Sequence, residues 1–197
     1  FVLQTGLLFL KRRRRALAGC TVKENLLDEF KKTLSFKLTG AQERVINECL
    51  TDMMSPRPMN RLIQGDVGSG KTAVAAALMY ISAGNGFQSA LMAPTELLAE
   101  QHFKTLCKIT ENSGIKCALL TGSLTKKQKD EVKAGLKSGE IKVAVGTHAL
   151  LTDDVEFESL GLVVTDEQHR FGVGQRGRLS SKGNNPHTLV MSATPIP

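Results

Sequence analysis

Gly65-Asp66-Val67-Gly68-Ser69-Gly70-Lys71-Thr72 is the stretch on which the reading of this chain turns. Its spacing is GxxxxGK[ST], and its flanks matter as much as its letters. Before it lies a short run at 59–64 (MNRLIQ) with strand character, and from 70 to 82 follows an alanine-rich stretch with the length and composition of a helix. A strand that turns through glycines into a helix aims successive backbone N–H groups and a helix N-terminus at one point, which makes an anion cradle. Gly65, Asp66, Val67, Gly68, Ser69 and Gly70 would wrap a phosphate chain. Lys71 would reach the β- and γ-phosphates, and Thr72 would set its hydroxyl on Mg²⁺. The expectation is a nucleoside triphosphate site.

Outward from the loop the same alternation repeats. Further strand candidates fall at 88–93, 116–120, 141–146, 160–165 and 188–192, with helix candidates at 96–108 and 125–136. Runs such as Leu160-Gly161-Leu162-Val163-Val164 are apolar throughout, as in a parallel sheet covered on both faces. The alternation predicts an α/β domain with a doubly wound, mainly parallel sheet of six or seven strands flanked by helices. Thr39-Gly40-Ala41-Gln42 reads as a capping box opening a helix to about residue 53, and Ser55-Pro56-Arg57-Pro58 ends it. Residues 1–35 differ: 1–17 is apolar and then basic, and 23–34 has apolar residues at roughly helical spacing. Either segment could be a helix that packs on a neighbour outside this chain.

With 197 residues the chain can bury a core without a disulfide or metal staple, and 41% hydrophobic with 23% charged residues excludes wholesale disorder. The formal net charge is +7, of which Lys11 to Arg15 carry five, so the basic character belongs to an arm and not to the globule. Cys20, Cys49, Cys107 and Cys117 stand far apart with no CxxC pair, which argues against a disulfide framework or a zinc site. Reduced, partly buried thiols in a cytoplasmic protein are expected instead. No apolar run approaches the ~18 residues of a membrane span, and the apolar N-terminal decamer precedes its basic cluster, the reverse of a secretory signal. The chain starts without Met and stops on Thr194-Pro195-Ile196-Pro197, and reads as a piece of a longer polypeptide.

Loops of this kind serve many enzymes, and the partner carboxylates narrow the chemistry. Asp166 and Glu167 follow the aliphatic run 160–165. An Asp at a strand end can hold Mg²⁺, commonly through water, and the adjacent Glu can polarise a water for in-line attack on the γ-phosphate. Tandem acids here suit hydrolysis better than transfer to a metabolite.

Asp166-Glu167-Gln168-His169, followed by Arg170-Phe171-Gly172-Val173, resembles the DExH box of superfamily-two helicases. Ala93-Pro94-Thr95-Glu96-Leu97-Leu98-Ala99-Glu100-Gln101-His102 is similar to the DNA-contacting segment after the second strand in that family. Thr121-Gly122-Ser123 and Val145-Gly146-Thr147-His148-Ala149-Leu150 resemble its further strand-contacting segments, and Ser192-Ala193-Thr194 its coupling element. Over 38–197 the tokens occur in the order and spacing of bacterial branch-migration helicases, while 1–35 matches only loosely, as a helical basic connector.

The resemblance implies a first RecA-like motor domain at 36–197, with ATP and Mg²⁺ as cofactors and a second motor domain absent. Lys71 and Thr72 would serve phosphate and metal, Asp166 the metal, and Glu167 would be the general base. Gln168 and His169 would sense the γ-phosphate and relay it to Ser192 and Thr194. Gln42 is similar to the family's adenine-reading glutamine, although a capping role alone would also account for it. Phe36 is either its stacking partner or a core residue. Pro94, Thr95, Glu96, Gly122, Thr147 and His148 would meet a sugar–phosphate backbone, contacts that position without reading sequence. His102 and His187 read as surface or packing residues. The Arg12–Arg15 run is a solvated connector, a phosphate-binding stripe or a docking site. Base-stacking platforms are unsupported by one Tyr and eight Phe.

The implied function is the motor of a DNA helicase that remodels stalled forks and Holliday junctions in recombination and repair. Its partners would be branched DNA and the missing second motor and junction-binding domains, with no membrane and no oligomer. Without a second domain to supply arginines, this segment alone should bind ATP weakly, hydrolyse it barely and unwind nothing. Two alternatives stand beside this: a transcription–repair coupling type duplex translocase, which more often has Glu where Gln168 stands, and a nucleic-acid-independent switch ATPase.

Overall fold

The computed structural model describes residues 20–166 and 173–193. Strand and helix alternate along it as the sequence predicts, the anticipated elements from residue 39 onward shifted by no more than two residues at either end. A short helix α1 (Leu27–Thr33) precedes α2 (Gly40–Met53), and then come β1 (Asn60–Gln64), α3 (Lys71–Gly84), β2 (Gln88–Met92) and α4 (Glu96–Thr110). The chain continues through β3 (Cys117–Leu120), α5 (Lys126–Lys137), β4 (Val143–Gly146), a 3₁₀ turn (His148–Leu151), β5 (Leu160–Asp166), α6 (Val173–Ser180) and β6 (His187–Ser192). Thr39 opens α2 through a full capping box: its hydroxyl accepts from Gln42 N–H, and Gln42 Oε1 accepts from Thr39 N–H. Thr125 and Gln128 repeat the device at α5.

All six strands are parallel, in the order β1-β6-β5-β2-β4-β3. The central strands β2, β4 and β5 are buried on both faces because both faces are covered, whereas β1 at the sheet edge is largely exposed. Leu162 and Val164 of β5 face a core shared with α2, α3 and α4, including Ile46, Leu78 and Leu106. Val163 between them faces the opposite core with Leu136 of α5, Leu150 of the 3₁₀ turn and Leu179. That is the doubly wound arrangement expected.

The segment 23–34 finds its neighbour within this chain and not outside it. Val22, Leu27 and Phe30 are buried in the same core as α3, and the Phe30 ring lies 5.5 Å from that of Tyr80. Residues 1–17, with the Arg12–Arg15 run, lie outside the described residues. Cys49 is buried and the other three cysteines partly so, all as free thiols. Burial pushes the Cys49 and Cys117 thiols up to about 11, so both are protonated at neutral pH. Among the described residues no helix is long and apolar enough to cross a membrane.

Candidate nucleotide site and nucleic-acid interface

The strand order divides the carboxyl ends of the sheet in two. The ends of β1, β6 and β5 carry the phosphate loop, Ser192 and Asp166; those of β2, β4 and β3 carry the segments at 94–96, 147–148 and 121–123. Sites in open α/β sheets form beyond these ends.

On the first half, the loop leaves β1 and enters α3 through Gly70, whose φ of 81° is left-handed backbone that suits glycine. A Cβ there would also collide with Gln42 Nε2. Gln42 does more than cap: its Nε2 donates to the Ser69 carbonyl at 3.0 Å, so one side chain closes the start of α2 and holds the phosphate loop. Lys71 Nζ donates to the carbonyls of Gly65 (2.7 Å) and Asp66 (2.9 Å). The Gly65 N–H donates to the Ser192 carbonyl at 3.3 Å, tying the loop to β6, where Ser192 is fully buried. Val67 at the tip of the loop is exposed, and Phe36 stands half exposed and is not a core residue.

Val67, Gly68, Gly70, Lys71, Thr72, Asp166, Met191 and Ala193 line one cleft of about 270 Å³. Thr72 and Asp166, far apart in sequence, thus line the same cleft as the lysine. A hydroxyl and a carboxylate are hard oxygen donors of the kind Mg²⁺ takes, and the cleft fits that ion. Glu167, Gln168, His169 and Thr194 lie outside the described residues.

On the second half, Thr95 caps α4, its hydroxyl accepting from Leu98 N–H at 3.3 Å. Glu96 reaches across to the next segment and accepts from Ser123 N–H at 3.2 Å. The Ser123 side chain foremost, with the backbone N–H groups of Ser123 and Gly122 and the nearby His148, holds the Glu96 carboxyl below its ordinary range against the opposing effect of desolvation. Gly122 permits this approach, since a Cβ there would lie 2.9 Å from Glu96 Oε1. Lys129 donates to the Gly122 carbonyl at 2.6 Å. Thr147 departs from expectation: it is buried and its hydroxyl faces the interior, while the adjacent His148 is exposed. The Thr95 hydroxyl is therefore engaged in capping and the Thr147 hydroxyl is buried, which leaves His148 exposed at the end of β4.

One residue of the site escaped the sequence reading. His102 Nε2 lies 2.7 Å from Asp166 Oδ2, with the two side chains 10% and 15% exposed. Its signal was the buried stripe of α4, Ala99, His102, Leu106 and Ile109, whose helical spacing puts a histidine among core positions. His187, by contrast, is a packing residue. Its Nδ1 accepts from Met59 N–H at 2.9 Å and its Nε2 donates to the Cys20 carbonyl.

The family model of the DEAD/DEAH box helicases matches residues 39–197. The chain is 56% identical to the ATP-dependent DNA helicase RecG of Bacillus subtilis over 87% of its own length, and 49% identical to that of Thermotoga maritima over all of it. It spans about a quarter of the length of these relatives, 25% and 26%. Among solved structures, that of RecG bound to a three-way DNA junction superposes with a TM-score of 0.85 at 46% identity, covering 100% of this chain and 26% of that one. The UvsW helicase of bacteriophage T4 shares the fold, with a TM-score of 0.64 at 18% identity over 89% of this chain and 62% of its own. A RecA-like sheet, a phosphate loop facing a strand-end carboxylate and these matches together make the chain a member of the DEAD/DEAH box helicase family.

Proposed function

We propose that this chain is the ATP-binding first motor domain of a DNA helicase or translocase that remodels branched DNA, such as stalled forks and Holliday junctions, in recombination and repair. The observation that carries the reading is the meeting of Lys71, Thr72 and Asp166 in one cleft of a RecG-like chain. Lys71 exchanges the carbonyls of Gly65 and Asp66 for β- and γ-phosphate oxygens. Thr72 and Asp166 are the residues that would hold Mg²⁺, which when bound neutralises charge on those oxygens. Glu167 accepts the proton of the attacking water. Gln168 and His169 sense the γ-phosphate and pass its state to Ser192 and Thr194. Gln42, fixed to the loop at Ser69, reads the adenine, with Phe36 free to stack. Pro94, Thr95, Glu96, Gly122 and His148 line the path of a DNA backbone, contacted without regard to sequence, while Thr147 supports that surface from inside.

The motor domain reaches back to about residue 20, because Val22, Leu27 and Phe30 share its core; a basic stretch precedes it, and a second motor domain completes the ATP site with its arginines. On its own the segment binds ATP weakly and unwinds nothing; the whole protein acts as a cytoplasmic monomer. The test is ATP turnover by the full-length protein with and without a synthetic forked DNA, with Glu167→Gln as control. Strong stimulation by the fork, abolished in the variant, is expected. Turnover indifferent to any DNA refutes the reading in favour of a switch ATPase, and equal stimulation by unbranched duplex favours a coupling-type translocase.

A further inference from the structure

We infer that His102 is a positioning residue of the nucleotide site: it holds one carboxylate oxygen of Asp166, leaves the other for Mg²⁺ to use, and ties that carboxylate to helix α4. The inference rests on the nucleotide reading proposed above.

The bond itself is short and sheltered. At 2.7 Å, with 10% and 15% of the side chains exposed, an imidazole N–H on a carboxylate is a charge-assisted hydrogen bond with little water to compete for it. It engages Oδ2 alone. Asp166 ends β5 inside the cleft with Thr72 and Lys71, so a carboxylate pinned at one oxygen offers the other in a fixed direction. Carboxylates that bind metals are commonly oriented by such an outer partner, whose loss costs roughly 10–100-fold in metal affinity or activity.

Topology gives the bond a second meaning. β5 is the last strand of the nucleotide half, and β2, its neighbour, is the first of the other half. Helix α4 follows β2, starts at the Thr95 cap, and has Glu96 bound to Ser123. From Thr95 to His102 is seven residues, about 10 Å of helix. Ala99, Leu106 and Ile109 seat that helix in the core, so it moves as one piece. The His102–Asp166 bond therefore crosses the seam between the two halves, from the helix that begins at the DNA-facing segments to the carboxylate at the phosphates.

The test compares the full-length helicase with its His102→Ala and His102→Gln variants. Binding of the N-methylanthraniloyl derivative of ATP is titrated in saturating Mg²⁺ and again in EDTA, and each thermal midpoint is recorded. In His102→Ala the gain in affinity that Mg²⁺ confers should shrink about tenfold, with affinity in EDTA unchanged and the thermal midpoint lowered but still well above the assay temperature. Gln, whose amide N–H reaches as far as Nε2, should recover most of it. An undiminished Mg²⁺ gain in His102→Ala overturns the inference, as does an equal loss with and without metal, or a Gln variant as defective as Ala. Wild-type protein with no Mg²⁺-dependent binding would instead overturn the nucleotide reading, and this inference with it.

Discussion

Gly70→Ala puts the contact between the phosphate loop and α2 to a quantitative test. Two separate penalties are built into that position. The first is local: φ is 81°, and a residue with a Cβ in left-handed backbone costs about 1 kcal/mol. The second is steric. The new methyl group would overlap Gln42 Nε2 and stand 3.4 Å from Gln42 Cδ, so the amide must swing away. That breaks the bonds to the Ser69 carbonyl and from Thr39 N–H. Each contributes about 0.5–1 kcal/mol, the lower end of the usual range because the amide is partly exposed. The sum is about 2–3 kcal/mol, or roughly 5–10 °C in thermal midpoint for a domain of this size. In a Gln42→Ala background only the backbone penalty remains, about 1 kcal/mol. Thermal unfolding of wild type, both single variants and the double variant closes the cycle, and a coupling of about 1–2 kcal/mol is expected. Strict additivity, within about 0.5 kcal/mol, would refute the reasoning.

Two further outcomes follow from the core. Burial holds His187 below its ordinary value of 6.5, outweighing the Cys20 carbonyl and Asp52, so the folded chain binds fewer protons than the unfolded chain just below that pH. Its contribution to stability is then complete above about pH 6.5 and lost as the pH falls towards the depressed native value. The thermal midpoint should drop between about pH 7.5 and 5.5, and less so in His187→Asn; an identical drop in both would contradict the assignment. Phe30→Ala should cost about 3–5 kcal/mol, since the ring is fully buried against α3. A loss under about 1 kcal/mol would mean that residues 20–35 do not belong to the domain's core.

Local patterns were legible in the sequence, and spatial order was not. The six strands could be read because each is a short apolar run bounded by turn residues, and the phosphate loop because its eight residues are contiguous. Nothing in the runs themselves says that β6 lies between β1 and β5, which is what sets the phosphate loop, Ser192 and Asp166 side by side. The His102–Asp166 bond spans 64 positions and joins a helix to a strand that are brought together only by the strand order, which sets β5 beside β2. Sequence logic offered Gln42 two roles, and the fold gives it a cap and a grip on the loop together, because α2 runs beside the loop. Thr147 resisted for the opposite reason. Its type suited a phosphate contact, but the end of β4 turns its hydroxyl inward.

Among the described residues β1 pairs with β6 alone. Of the six strands described, the earliest in the chain must therefore wait for the latest. Between Gln64 and His187 lie about 120 residues, which at 5–20 residues per second is roughly 6–24 s of synthesis. Throughout that interval the nascent Asn60–Gln64 segment has no strand to join, while β2, β3, β4 and β5 can already assemble around α4 and α5. The Gly65–Ser192 bond that steadies the phosphate loop is delayed with it. A nascent chain arrested before residue 187 would thus carry the complete GDVGSGKT sequence without the bond that ties it to β6.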